Sequence, residues 1–496
     1  MTARPLEPAR AEKPGARLMT LFVVLGFSAG LPFYLFSTVL FLRLAKVGVD
    51  ITIIGFFGWV SLLPTFKFLW APLLDRFSAP GFASFWGQRR SWILLSQLGI
   101  VSSIIGLAFV HPERDLPATA FWAVLLAFWT TTLEVAADAW RVELAPDAAS
   151  QGPLSAANLW GYRTAMVAAG SGALIVADRS GWTAAYLAIA AAAFVAFPLL
   201  VSTRPESGAG ANRWAALAKG SFVGAGLLVL FALGTGAIGT GVLAAAQAAG
   251  LSGRSNVTTP VLVVAMLPFL VMALAIPRIR TLGPDAPVRR SLALGPYIDI
   301  FWRYGFMALA LLLFVSLYRM GDVLALNMSK PLVNSVGYSL TQIGVADSWV
   351  ALGSSMIGVA LGGWMAARQA RARALALGAV LAAIGNFGFV WLAHQPPSTG
   401  VLYLSTALDQ FGNGFAGTVF VVYLSLLVNP VYAGAQYAFL SGFAFLLPRL
   451  IAGAAGAMQK AIGYDGVFLL SGVMSLAAIL LLPLVERARP RPADSA

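Results

Sequence analysis

Along most of the chain, apolar residues run for about 18–28 positions at a time, and the breaks between runs are short, basic and rich in Gly and Pro. A helix rises 1.5 Å per residue, so runs of this length match the roughly 30 Å hydrocarbon core of a bilayer. Fourteen spans are expected, near 18–44, 52–74, 91–110, 118–140, 155–177, 182–201, 221–249, 259–277, 304–329, 343–366, 374–393, 401–428, 435–457 and 466–485. Strands of a membrane barrel would instead alternate strictly over about 10 residues, and the chain shows no such alternation. The first run follows the basic segment Met1–Arg17 directly. It is too long for a signal-peptide core and has no convincing cleavage site after it, so it reads as a retained first helix.

The longest polar interruptions, Ser202–Gly220 and Arg278–Arg303, flank the seventh and eighth runs. The pattern therefore predicts an all-α polytopic membrane protein with six, two and six transmembrane helices. Its parts are a tail at 1–17, a six-helix bundle at 18–201, a linker carrying two extra helices at 202–303, a second six-helix bundle at 304–485 and a tail at 486–496.

Composition removes the soluble alternative. The 496 residues are 59% hydrophobic and 11% charged, against about 25% charged in soluble domains. A net charge of +13 raises the question of nucleic acid, and the placement of the charges answers it. With the N-terminus inside, 22 of the 33 Lys and Arg fall in cytoplasmic segments, 7 in outside loops (Arg43, Lys46 and Lys330 among them) and 4 within spans. Such a bias places both termini in the cytoplasm. The chain has no Cys, so thiol chemistry is excluded. His111 and His394 lie in separate short loops with no second ligand nearby, so no metal site is expected.

The informative residues are the ionisable ones inside spans, since each costs several kcal/mol in hydrocarbon and must face water or a partner. The fourth span carries Glu134 and Asp138 at i, i+4, and the fifth carries Arg163 at similar depth, which suggests a Glu134–Arg163 pair. Lys67 sits in the inner half of the second span. Arg319 and Asp322 share a face of the ninth span; Asp409 lies in the twelfth with Gln410 and Asn413, and Arg449 in the thirteenth. The two aspartates come about eight residues from the outer ends of their spans. Glu134, Asp322, Asp409 and Asp138 are the candidates for proton coupling, because a desolvated acid is poised to take up a proton. Arg163, Arg319 and Arg449 are candidates for an anionic substrate, with Tyr162, Gln410, Asn413, Gln436 and Tyr437 beside them. The structural alternative is a set of static salt bridges, and it is preferred for Asp138.

Two further motifs concern gating. The loop after the second span reads Leu73-Leu74-Asp75-Arg76 and then Gly87-Gln88-Arg89-Arg90. An acid can cap a neighbouring helix end while arginines hold carboxylates and carbonyls, so Asp75, Arg76, Arg89 and Arg90 form a candidate cytoplasmic latch; plain positive-inside anchoring is the alternative. The first span contains Gly26, Gly30 and Pro32, which either break the helix beside a cavity or allow close helix packing. No phosphate-binding Gly-rich loop with Lys stands out, so ATP driving is not supported.

These stretches resemble the AmpG muropeptide permease family, within the peptide/acetyl-coenzyme-A transporter group of the major facilitator superfamily. The resemblance runs through Leu25–Pro32; Phe66-Lys67-Phe68-Leu69-Trp70-Ala71-Pro72-Leu73-Leu74-Asp75-Arg76; Glu134 to Asp138-Ala139-Trp140; Gly161-Tyr162-Arg163; Tyr318-Arg319-Met320-Gly321-Asp322; and Gln436-Tyr437-Ala438 with Arg449. It implies a fourteen-helix major facilitator fold and import of anhydro-muropeptides from periplasm to cytoplasm by proton symport, with no cofactor beyond the proton gradient. It further implies a bacterial inner membrane, peptidoglycan recycling and an indirect influence on β-lactamase induction. The chain departs from the family's pattern in having Glu134 for Asp, Asp409 for Glu, and Arg141 and Arg319 for Lys. Charge is kept and reach changes, which bears on substrate detail. The expected protein is thus a monomeric transporter of a muropeptide or related anionic glycopeptide, with lipid and no nucleic acid as partners, and not an enzyme. The alternatives are a transporter of another large anion such as acyl-coenzyme A, or a non-transporting scaffold or sensor.

Overall fold

The computed structural model describes residues 14–49, 57–79, 83–202, 270–368, 371–452, 455–488 and 490–491. The two central spans expected at 221–249 and 259–277 lie outside the described residues, apart from the last turns of the second. Among the described residues there is no strand, and ten helical runs are long and apolar enough to cross a membrane.

Helix α1 runs over Ala16–Tyr34, passes through a π turn at Leu35–Val39 and ends with Leu40–Lys46. Helix α2 is wound as a 3-10 helix over Gly58–Leu69, with Pro64 inside it, and continues as Ala71–Arg76. Helix α3 is Gln88–Phe109 and α4 is Leu116–Leu144, capped by Asp115, which accepts from the Ala118 N–H at 2.9 Å. Helix α5 is Ala148–Val167 with a π turn at Ala168–Gly172. Asp147 caps it, and bonds from Ser150 hold its carboxyl below the usual carboxylate range. The long apolar stretch that follows is cut at Gly181, whose φ of 84° no helix tolerates, and α6 continues from there to Val201.

The second set opens with a short helix, α7, at Gly295–Tyr304. Helix α8 is Met307–Val336; α9 is Leu340–Val345, a π turn at Ala346–Val350 and Ala351–Ala367. Helix α10 is Arg371–Ala393, α11 is Thr399–Leu427, α12 is Ala433–Ala452 and α13 is Ala455–Glu486, the last broken at Gly463. The break at Gly463 corresponds to that at Gly181: each precedes the sixth helix of its set.

Close backbone approach, rather than large side chains, holds α1 to α5. A Cβ on Gly26 would meet the Asn158 carbonyl oxygen at 1.9 Å, and one on Gly161 would meet the Val23 carbonyl oxygen at 1.8 Å. Of the two readings of the glycines in α1, close packing is the one seen, at Gly30 as well as Gly26: a Cβ on Gly30 would lie 2.8 Å from the Ala165 Cβ. In lipid no hydrophobic drive separates helix from tail, so such small-residue contacts carry much of the association.

The two sets meet along two seams. Helix α5 lies on α9, where the Trp160 indole N–H donates to the Met356 carbonyl at 2.9 Å and Ser171 pairs with Ser348 at 3.1 Å. Helices α2 and α4 lie on α12.

Replacing Gly161 with Val should destabilise the protein by about 1–3 kcal/mol through overpacking. Gly170→Ala, at a position with nothing within 4 Å, should leave stability unchanged or slightly raised. Thermal unfolding of both variants in detergent checks this.

Candidate functional site

At the end of the bundle where α2 turns into α3, Asp75 is the centre of a polar knot. Its carboxylate accepts from the backbone N–H groups of Gly434 and Ala435, at 3.0 and 2.7 Å, in the first turn of α12. An acid at a helix N-terminus meets unpaired N–H donors and the positive end of the helix dipole. Arg89 bridges the same carboxylate at 2.8 Å and Glu143 of α4 at 2.7 Å, and Gln88 donates to the carbonyls of Leu74 and Asp75. Arg90 is buried with its guanidinium 5.9 Å from the Trp140 ring. Arg76 is exposed. Thus Asp75 ties the first set of helices to the second, and Arg89 braces that carboxylate from within the first.

One turn deeper lies Arg141, buried to 1% exposure. The sequence placed it in a loop because the fourth span was ended at 140; α4 in fact continues to Leu144. Its guanidinium donates to Gln151 at 2.7 Å, Ser155 at 2.8 Å, Ser425 of α11 at 3.0 Å and Asp138 at 2.9 Å, and lies 5.3 Å from the Tyr437 ring. With four side-chain acceptors already engaged, Arg141 is a strut across both sets. Asp138 is its counter-ion.

The expected Glu134–Arg163 pair does not form. Glu134 faces Lys67 at 3.8 Å, and Arg163 donates to Gln410 at 3.4 Å and Asn413 at 3.0 Å, across the seam on α11. Equal depth along two helices fixes only one coordinate; which faces meet is set by packing. Gln410 in turn donates to Asp409 at 2.8 Å, so Arg163, Gln410 and Asp409 form one chain of hydrogen bonds. Arg319 bridges Asp322 at 2.7 Å and lies 5.3 Å from the Phe445 ring. Arg449 donates to Thr65 of α2, again across the seam. Tyr162 packs beside Phe33, centroids 6.2 Å apart.

A cleft in the last six helices is lined by Asp322, Lys330, Asp347, Asp409, Gln410 and Asn413. Asp322 lies deeper than expected, because α8 runs to Val336 rather than 329. Asp347 and Lys330, paired at 2.8 Å, were missed. Asp347 meets the same test as the other acids, an ionisable group inside an apolar run, and it sits on the π turn of α9. Lys330, counted as a loop cation, belongs to α8. Arg43, also assigned to an outside loop, is buried and donates to the carbonyls of Leu107 and Val110 at 2.6 Å each, closing the end of α3.

Gln436 is not a cleft residue. Fully buried, it donates to Asp299 of α7 at 2.7 Å and to the Pro296 carbonyl at 2.9 Å. Successive helix residues point about 100° apart, so it faces away from its neighbour Tyr437, which stacks on Arg141.

This architecture is the major facilitator superfamily fold. Residues 311–496 match the sequence profile described as Major Facilitator Superfamily. The chain superposes with a TM-score of 0.61 on the proton:xylose symporter XylE bound to 6-bromo-6-deoxy-D-glucose, at 15% identity and with 96% of each chain covered. The molecule is therefore a multi-pass membrane protein of that fold. Its resemblance to AmpG proteins holds over nearly the whole chain. It is 25% identical to the Rickettsia conorii protein named AmpG 4 over 477 residues, 94% of this chain and 95% of that one. It is 24% identical to the anhydromuropeptide permease of Escherichia coli K12 over 463 residues, 93% of this chain and 78% of that one.

Arg141→Met should cost about 1–3 kcal/mol, since it leaves buried Gln151, Ser155 and Ser425 without their shared donor and half-buried Asp138 without its counter-ion. A double variant Arg141→Met/Asp138→Asn should recover part of the loss. Thermal unfolding in detergent measures both.

Proposed function

We propose that the protein is a proton-coupled symporter that carries anhydro-muropeptides, or closely related anionic glycopeptides, from the periplasm to the cytoplasm. It would act as a monomer in a bacterial inner membrane and serve cell-wall recycling, and thereby bear indirectly on β-lactamase induction. The observation that carries the reading is the chain Arg163–Gln410–Asp409 at the seam between the two sets of helices. Its relatives named AmpG and anhydromuropeptide permease supply the substrate class.

A carboxylate of the solute competes with Gln410 and Asn413 for the Arg163 guanidinium. If Gln410 is displaced, Asp409 loses the amide donor that serves it, so occupancy of Arg163 and protonation of Asp409 become linked. Asp322 with Arg319, and Glu134 with Lys67, are two further acid–cation pairs in the spans where a proton can be held or exchanged. The basic bias of the segments that include both termini supports a cytoplasmic position for the Asp75 knot. On that orientation the knot is the cytoplasmic gate, shut in this conformation, and the acid-lined cleft belongs to the periplasmic side.

Uptake of labelled anhydro-muropeptide into proteoliposomes should depend on an inward proton gradient. Of the variants Glu134→Gln, Asp322→Asn and Asp409→Asn, at least one should lose gradient-driven accumulation while retaining exchange of labelled for unlabelled solute. Wild-type protein that shows no gradient-dependent accumulation would sink the reading, as would full accumulation by all three variants. A pH profile of exchange adds a second check: Asp409→Asn should flatten it, and Arg163→Met should raise the half-saturating concentration of solute.

A further inference from the structure

Helix α7 has no part in the site described above, yet it is anchored with unusual care. Asp299 accepts from Gln436 at 2.7 Å and from Asn429 at 3.2 Å. The Pro296 carbonyl accepts from Gln436 at 2.9 Å, the Tyr304 hydroxyl donates to the Leu427 carbonyl at 3.1 Å, and the Arg303 carbonyl accepts from the Arg491 N–H at 3.1 Å. Every one of these partners lies on α11, on α12, in the turn between them or in the segment after α13. Among the described residues, the hydrogen bond from α7 to the first six helices is that of the Tyr297 hydroxyl to the Phe68 carbonyl of α2. The Phe68 ring meets Tyr297 edge-on, at 90° and 6.4 Å between centroids, and Tyr297 also packs on Phe439 of α12 at 5.3 Å.

We propose that α7 moves as part of the last six helices, and that Tyr297 is a second closing contact of the gate, reaching from the connecting segment onto α2 beside the Asp75 knot. The proposal rests on the alternating-access reading above. The ties of α7 to the two sets are unequal. A carboxylate that takes two donors, plus three further hydrogen bonds, joins α7 to the last six helices. One neutral hydrogen bond joins it to α2. When the two sets part at this end, the weaker junction opens. Three contacts on the α2 side then break together: Asp75 with the first turn of α12, Thr65 with Arg449, and Phe68 with Tyr297. The first turns of α12 are thus gripped from two directions, by Asp75 at Gly434 and Ala435 and by α7 at Gln436.

The chain has no Cys, so introduced cysteines are its only thiol labels. Spin labels on pairs drawn from Leu73→Cys of α2, Leu294→Cys at the start of α7 and Val431→Cys before α12 report on the three bodies; all three native side chains are exposed. Distances between labels are measured in lipid nanodiscs, in the otherwise unchanged chain, in Asp75→Asn, in Tyr297→Phe and in the double variant. Asp75→Asn should bring a longer-distance population to the 73–431 and 73–294 pairs alike, while the 294–431 distance stays fixed. Adding Tyr297→Phe should raise that population on the order of fivefold, as expected for loss of one neutral hydrogen bond. If 294–431 lengthens while 73–294 holds, α7 belongs with the first six helices and the proposal fails. If the sets separate but Tyr297→Phe leaves the separated fraction unchanged, Tyr297 is not a closing contact. If no pair changes in any variant, alternating access at this end fails, and the inference falls with it.

Discussion

A charge inside a bilayer has to carry its partner with it, and most of this structure follows from how that requirement is met. Hydrocarbon cannot solvate an isolated ion, so a buried ionic group needs an opposite charge, a row of hydroxyls and amides, or a helix end. Arg141 shows the most complete solution, with an acid, an amide, two serine hydroxyls and a ring around one guanidinium. Arg43 uses the bare carbonyls at the end of α3. Asp75 uses the bare N–H groups at the start of α12. The partners of Asp75 and Arg141 lie partly in the opposite set of helices, so satisfying a charge also joins the two sets.

That coupling gives the molecule its two kinds of junction. Within each set, backbones come so close at glycines that even one added carbon has no room, as at Gly26 and Gly161. Such contacts resist sliding and make each set a stiff unit. Between the sets close glycine contacts also occur, at Gly152 against Gly363 and at Gly442 against the Thr65 carbonyl, and polar ties join the sets beside them; polar ties can be exchanged. A carboxylate that leaves a helix N-terminus can be replaced by water once the end of the bundle opens. Rigid bodies joined by exchangeable bonds are what alternating exposure of a central site requires.

Most of the in-span acids and cations were visible in the sequence because the test for them is local. An ionisable residue in an apolar run stands out whatever its neighbours, and Glu134, Arg163, Asp322, Asp409 and Arg449 all met that test. Asp347 met it equally. Arg141 and Lys330 escaped because their helices were ended too early, Arg141's by four residues and Lys330's by seven. Tyr297 and Asp299 escaped for another reason: α7 lies outside the apolar runs, in a stretch whose composition looks like loop.

What the sequence alone determined is the membrane-embedded helical architecture and the set of charges that demand partners. These depend on length, hydropathy and charge count, which are properties of single segments. Only the tertiary structure decided who pairs with whom. Glu134 faces Lys67 and not Arg163; Arg163 reaches Gln410 and Asn413; Gln436 serves α7 rather than the cleft. The reason is geometric. Spacing along a helix gives depth and relative face, but the rotation of each helix about its own axis is set by how it packs against its neighbours. The same acid that the sequence marked as a latch, Asp75, needed the first turn of α12, some 360 residues away, to show what it holds.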